Sequence, residues 1–377
     1  MKTGPASAQW QSLRILFPAL ERCTYLNTAN FGPVSVEAVA AAHRYYEEAL
    51  VEGDCGEQWH RRVEDCREGL ADLIGAHSSE LGFVHNTSMA MNCAALLFKG
   101  RGAVLTGADE HPAVTTPWFA LGYRVDTARP REDGQLDLEC YARAIRSDTR
   151  VIAISHIRYN DGQVNDVIGL GALARAHGAH LVVDGVQSVG IVPVDVKCGI
   201  DVLGFGSFKW LNAGDGAGAI FVRQALFESY GLPIAGARSR RTLELHEIQS
   251  LDPLLAARAF ELGSVSAPPV LALGAAVSLV RRIGMDAIHA RTRTLSARLR
   301  GGLRDLGLFS QVATGDESVT PIVSVALADG PRVLADMLRR GIIVALRGGR
   351  IRISVSWYNN EQDIDRCLAA LRESVRQ

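Results

Sequence analysis

The sequence predicts an α/β fold, with a large domain on a mostly parallel sheet followed by a smaller C-terminal α+β domain. Three observations predict it. Short apolar runs alternate with helical stretches over most of the chain, the pattern of βαβ units. The run VIAISH is continuously apolar up to its last two residues, as a strand covered on both faces is. The chain has 377 residues, more than one hydrophobic core usually serves, so two domains are expected.

The elements follow in order. After an N-terminal segment over 1–27, the large domain over 28–255 opens with a helix over VEAVAAAHRYYEEAL and a second over EQWHRRVEDCREGLADLIG. Both carry apolar residues at helical spacing. GFVH, a helix and GAVLTG come next. The sheet core continues with VIAISH, the helix LGALARAHG, the strand AHLVVDG, the run DVLGFGS and the strand AIFVR. The smaller domain over 256–377 begins with one long linking helix from PVLALGAAV to RGGLRDLG. It goes on through TPIVSVAL, the helix PRVLADMLRRG, the strands IIVAL and RIRISVS, and a last helix over EQDIDRCLAALRESV.

Apolar residues are 47% and charged residues 21%, the composition of a chain that folds throughout. The net charge is −1, without a Lys/Arg block, so neither nucleic acid nor a membrane surface is an expected partner. A small molecule is. The first residues lack the regions of a signal peptide, and no run of about 18 apolar residues reads as a membrane span. The seven cysteines are scattered without CxxC spacing and read as reduced thiols, which points to a cytoplasmic location. No HExxH or carboxylate cluster suggests a metal. GDGAGA, at Gly214 to Ala219, lacks GxGxxG spacing and precedes a strand, so a dinucleotide site is rejected. His85 and His156, at strand ends, read as structural.

Two residues suggest chemistry. Asp184 ends an apolar strand, at the sheet edge where open α/β folds bind ligands. On its own, an aspartate in VDG reads as a turn or helix-cap residue. Lysines occur only at Lys2, Lys99, Lys197 and Lys209. A lone lysine is usually a solvated charge, but Lys209 lies among Phe208, Trp210 and Leu211, before a glycine-rich turn. Desolvation would lower its pKa and make the amine nucleophilic toward carbonyls. A carboxylate facing a dry lysine is what pyridoxal 5'-phosphate (PLP) requires: one keeps the pyridine nitrogen protonated, the other holds the cofactor as a Schiff base.

At these motifs the chain resembles the class V aminotransferase-like group of fold type I PLP-dependent enzymes, with its cysteine desulfurases, selenocysteine lyase, kynureninase and isopenicillin N epimerase-like proteins. The resemblance runs from YLNTANFGP to the last helix. It implies that Lys209 is tether and general base, that Asp184 meets the pyridinium, and that Gln187 of VDGVQSVG bonds the phenolic oxygen. His111 of DEHPAVTTPW would stack on the ring and take part in catalysis. Thr87 and Ser88 of FVHNTSMAMN would hold phosphate at a helix N-terminus. Ser264 of FELGSVS resembles a segment that contacts phosphate from a partner subunit, which implies a homodimer with shared active sites. Arg352 of RIRISVSWYNNEQDID falls on the arginine that clamps the substrate carboxylate, with Asn30 of YLNTANFGP beside the substrate. Without the resemblance, Arg350 and Arg352 would read as the solvent face of an edge strand.

The chain also departs from its relatives. Phe208 replaces a phosphate-binding histidine or tyrosine, leaving Ser207 to supply that bond. Either Tyr159 or Asn160 of HIRYNDGQV would lie near the cofactor's phenolic oxygen. GIIVALRGGRIRIS carries no cysteine where desulfurases carry a mobile nucleophilic one, so persulfide-forming desulfurase chemistry is not expected. Arg347 and Arg350 occupy that stretch. One of them would contact a polar or anionic substrate group, unless LRGGR is simply a solvated hairpin.

The expected activity is therefore a lyase reaction on an amino acid or amino-acid conjugate, with C–S β-elimination from a cysteine conjugate leading. Specialised-metabolite pathways such as antibiotic biosynthesis, which use relatives of this kind, are the expected setting. Competing readings are an aminotransferase or epimerase, a decarboxylation-dependent deaminase, and a PLP-fold protein that binds without turnover.

Overall fold

The structure, a computed structural model, describes residues 5–241, 252–309 and 320–376. Lys2 lies outside them. The strands in chain order are β1 Thr24–Tyr25, β2 Leu81–Val84, β3 Ala103–Gly107, β4 Val125–Ala128, β5 Thr149–Ser155, β6 His180–Asp184, β7 Val202–Gly206 and β8 Gly218–Val222, and then β9 Ile322–Ala326, β10 Ile342–Ile343, β11 Ala345–Arg347 and β12 Arg350–Ser354. Seven of them form the large sheet in the order β2-β8-β7-β6-β5-β3-β4. Only β8 runs against its neighbours. The expected mostly parallel α/β fold is present.

The side-chain alternation of a strand explains why the central strands are apolar throughout. Leu105, Ile152, Ile154, Leu181, Val183 and Leu203 point into one core, while Val104, Val151, Ala153, Val182 and Val202 point into the other. With helices on both faces, these central strand positions are buried whichever way they point.

The predicted long linking helix is two helices, Ala267–Ile283 and Met285–Asp305. Gly284 separates them with φ 91°, a conformation that fits glycine and ends the first helix. The first helix packs on helices Val36–Val51 and Gly56–Ile74 of the large domain. The second places Leu295, Leu299 and Leu303 in another core, with Val323, Val325, Ile351 and Ile353. Ile288, early in the second helix, still packs in the core of the large sheet, so the passage from one core to the other falls within that helix.

The C-terminal sheet has the antiparallel order β11-β12-β9, so β12 is its central strand. That corrects the edge-strand reading of Arg350 and Arg352. The predicted strand IIVAL is divided: β10 leaves this sheet to pair in parallel with β1. The β1 end of the N-terminal segment thus joins the small domain, with Leu26 in its core, while Phe17 and Leu20 pack in the core of the large sheet.

From there residues 24–35 cross to the large domain as a strap. Leu26 N–H donates to Ile343 O (2.9 Å) and Ser354 N–H to Leu26 O (2.8 Å) at one end. At the other, Gly32 N–H donates to Phe208 O (2.7 Å), and the Asn212 side chain donates to Pro33 O (3.0 Å). A Cβ on Gly32 would lie 2.1 Å from Lys209 O, so only glycine lets the strap lie against that turn. Among the described residues, no helix is long and apolar enough to cross a membrane.

Candidate active site

The parallel strands end on one edge, and the segments that follow them line a cavity of about 380 Å³. Thr87 and Ser88 follow β2, His111 follows β3, Tyr159 follows β5, Asp184 ends β6 and Lys209 follows β7. Gln187, Asn30, Arg347 and Arg352 also line it, as does Asp215. Ten of the sequence-predicted residues therefore meet in one place.

Lys209 is the one buried lysine among the described residues, at 8% exposure. Burial, opposed by Asp184 and reinforced by Arg352 and Arg347, lowers its amine to about 8. Asp184 is 2% exposed, and burial raises its carboxyl to about 6 against the Val186 N–H and Lys209. Its Oδ1 accepts from Val186 N–H at 2.8 Å. Asp184 and Lys209 both line the cavity.

The Gln187 amide has a determined orientation. Oε1 accepts from the Trp210 indole at 2.9 Å, and Nε2 donates to Ala29 O at 2.9 Å. Indole can only donate and a carbonyl only accept, which leaves one amide N–H of Gln187 for a cavity acceptor. His111 caps the helix Pro112–Ala120, its Nδ1 accepting from Ala113 N–H at 3.1 Å. The ring proton is therefore on Nε2. Burial, helped by Lys209, Arg352 and Arg347, lowers the His111 pKa and keeps the ring neutral. Tyr159 meets it edge-on at 5.0 Å.

Helix Thr87–Leu97 presents its first turn to the cavity, with Asn86 as the cap whose side chain accepts from Met89 N–H at 3.0 Å. The first-turn N–H groups of a helix have no intrahelical acceptor and favour an anion. Thr87 Oγ1 is buried without a hydrogen-bond partner.

Arg352 is 1% exposed. Its Nη1 donates to Tyr159 O at 2.7 Å, while Nε and Nη2 are buried without partners. Burial first, then Arg347, pushes this guanidinium down to about 10. A buried cation with two idle donors is costly unless an anion meets it. Arg347 donates through Nη2 to Asn30 Oδ1 (2.7 Å) and through Nη1 to Leu346 O (3.0 Å).

Two expected contacts lie elsewhere. Ser207 does not line the cavity; its hydroxyl donates to Gly214 O at 2.5 Å, a turn bond that uses the proton a phosphate would need. Asn160 is also outside: Ser324 Oγ donates to its backbone carbonyl, so Tyr159 takes the cavity position. Ser264 lines a second cavity with Phe83, His85 and Met89. Among the described residues, Arg350 does not line the first.

Sequence reasoning missed Asn86, although a polar residue before an apolar helix is a cap signal. It also missed Glu110. This buried carboxylate accepts from Ser155 N–H (3.0 Å) and Ser155 Oγ (2.5 Å), and burial raises it to about 7. Ser155 is the register partner of Asp184, so Glu110 braces the strand end beside the site. Nothing local in EH signals that.

These residues fit PLP. The orphan Thr87 hydroxyl and open helix turn suit its phosphate, the remaining Gln187 N–H its phenolic oxygen, Asp184 its pyridinium and Lys209 its aldehyde. Fold and site together define a PLP-dependent enzyme of fold type I.

The family model for class V aminotransferases matches residues 24–367. The chain belongs to that family. It is 28% identical over 360 residues to the Bacillus subtilis (strain 168) protein named uncharacterized aminotransferase YcbU, covering 94% of this chain and 95% of that one. Its fold matches the apo cysteine desulfurase of Thermococcus onnurineus NA1 with TM-score 0.87 at 24% identity, over 97% and 98% of the two chains. It also matches the cystine C–S lyase C-DES, solved with its reaction product cysteine persulfide, with TM-score 0.84 at 21% identity over 95% and 99%. One fold thus carries proteins named for different reactions.

Proposed function

We propose that this enzyme is a lyase that eliminates a sulfur substituent from Cβ of a cysteine conjugate. The observation that carries the reading is the pairing of Arg352, with two idle buried donors, and a cavity that no cysteine lines. When bound, PLP supplies an electron sink that lets a bond at the substrate Cα break and an electron pair pass on to expel a group from Cβ.

Arg352 receives the α-carboxylate through Nε and Nη2 and so turns the Cα substituents toward Lys209. Lowered to about 8, the Lys209 amine is partly unprotonated near neutral pH and takes the Cα proton. His111, neutral with its proton on Nε2, offers a face for stacking and a donor but no added positive charge. The thiolate that departs finds no enzyme sulfur. It takes up the proton that Lys209 removed from Cα and leaves as free thiol, and water converts the rest of the substrate to pyruvate and ammonia.

We further propose a homodimer in which the Ser264 side of one copy completes the phosphate site of the other. Ser264 does not line the Lys209 cavity of its own chain, as is expected of a residue that acts across copies.

The test incubates PLP-loaded protein with S-substituted cysteines and follows thiol, pyruvate and ammonia. Stoichiometric release is expected. Amino transfer to an added keto acid without thiol, or carbon dioxide release, would overturn the lyase reading. Mixed dimers of Lys209→Ala and Ser264→Ala chains test the sharing: restored activity is expected, and none means that each copy stands alone.

A further inference from the structure

Arg347 and Arg352 lie on one face of the small sheet. Ala345 is the register partner of Arg352, and Arg347 that of Arg350, so Arg347 stands diagonally across from Arg352. Diagonal neighbours on paired strands are about 7–8 Å apart at the backbone. The turn between them is only Gly348–Gly349, both at positive φ (55° and 75°), which suits the tight hairpin that sets this spacing.

Arg347 is half-buried and lines the cavity. Its two bonds go to neutral oxygens, the Asn30 side chain and the Leu346 carbonyl, and among the described residues no carboxylate pairs with it. Asn30 aims this guanidinium without neutralising it. Its charge is felt at Lys209, His111 and Arg352, each of which it disfavours in the protonated form. A cation held in place beside other cations, by neutral groups, is an arrangement that a second anion would complete.

We propose that Arg347, positioned by Asn30, forms a distal anion subsite, so that the enzyme selects amino acids carrying a second acidic group a few bonds beyond Cα. This rests on the α-carboxylate being held by Arg352, and it narrows the substrate class to acid-bearing amino acids. For a cysteine conjugate the acid is on the sulfur substituent. The competing occupant is the cofactor's own phosphate.

Titration calorimetry on PLP-loaded protein decides, with unreactive α-methyl amino acids as probes: 2-methylaspartate and 2-methylglutamate against the neutral 2-methylnorvaline. At least one diacid should bind roughly tenfold or more tightly than the neutral probe, the worth of one charge-assisted contact. Arg347→Gln should abolish that ratio with the neutral probe nearly unaffected, Asn30→Ala should reduce it, and Arg347→Lys should keep part of it. Equal binding of acid and neutral probes by the native chain would overturn the subsite. So would an Arg347→Gln protein that loses PLP on dialysis while keeping the ratio, since Arg347 would then serve phosphate. No binding of any probe would overturn the amino-acid reading itself. An intact ratio without thiol release from conjugates would overturn only the lyase step.

Discussion

The two walls of the cavity are finished to different degrees. On the large-domain side several polar groups are already oriented by the protein, Asp184 by Val186, Gln187 by Trp210 and Ala29, His111 by Ala113, and Glu110 behind them by Ser155, with the Thr87 hydroxyl left open. On the small-domain side Arg352 keeps two donors idle, and Arg347 has only neutral partners. A group that stays for the life of the enzyme needs a rigid wall, because positioning is then supplied in advance. A molecule that comes and goes needs open donors. The contrast divides cofactor from substrate.

Four experiments can break or sharpen that division. Lys209→Ala should remove both tether and base, lowering turnover by about 10³–10⁴-fold and abolishing cofactor fixed to protein by borohydride reduction. Mass spectrometry of the reduced protein checks it, and full labelling of the variant would break the assignment. Arg352→Gln should act on the other wall alone: kcat/KM falling about 10²-fold or more while dialysed protein keeps its PLP.

Asp184→Asn tests the cost of preparing the cofactor wall. In the cofactor-free chain, burial raises Asp184 from 3.8 to about 6. Between those values the folded chain holds a proton that the unfolded chain has released. The group's favourable contribution is therefore present below pH 3.8 and lost as pH rises through 6. Above pH 6 the buried charge is a burden on the order of 3 kcal/mol. Asp184→Asn apoprotein should thus melt higher than native apoprotein at pH 7.5, with the gap closing by pH 4. A gap independent of pH would contradict this. The smallest effect is expected from Trp210→Phe, which keeps the ring in the core and deletes one donor. Gln187 is then freed to turn, and PLP affinity should fall roughly tenfold. Fluorescence titration with PLP measures it.

Much of the cofactor wall was legible in sequence because it depends on strand ends. A buried parallel strand announces itself by apolar residues, and the polar residue closing it, Asp184, must emerge at the edge. Lys209 stood out by scarcity and by its apolar neighbours. What sequence could not show depends on where loops go after the strands. Ser207 matched a motif position, yet its turn folds back and Gly214 takes its proton. Tyr159 and Asn160 are adjacent, and only the packing of Ser324 against the Asn160 carbonyl separates them. On the small-domain wall Arg352 was reached only through the resemblance, because the alternation in RIRIS is the same for an edge strand and a central one, and pairing with both β9 and β11 is a tertiary fact.

The strap over residues 24–35 bears on how the protein comes to be made. Its β1 end waits for Ile342–Ile343 and Ser354, and Gln187 and the Lys209 turn wait for its other end. Contacts between the two ends of a chain form late, because a long loop must close first. On the ribosome the large sheet can fold as it emerges. Lys209, however, gains its full setting only when synthesis has passed Ser354. A half-made chain would hold its reactive amine without Arg347 and Arg352, so competence to process substrate arrives with the last strand rather than with the lysine.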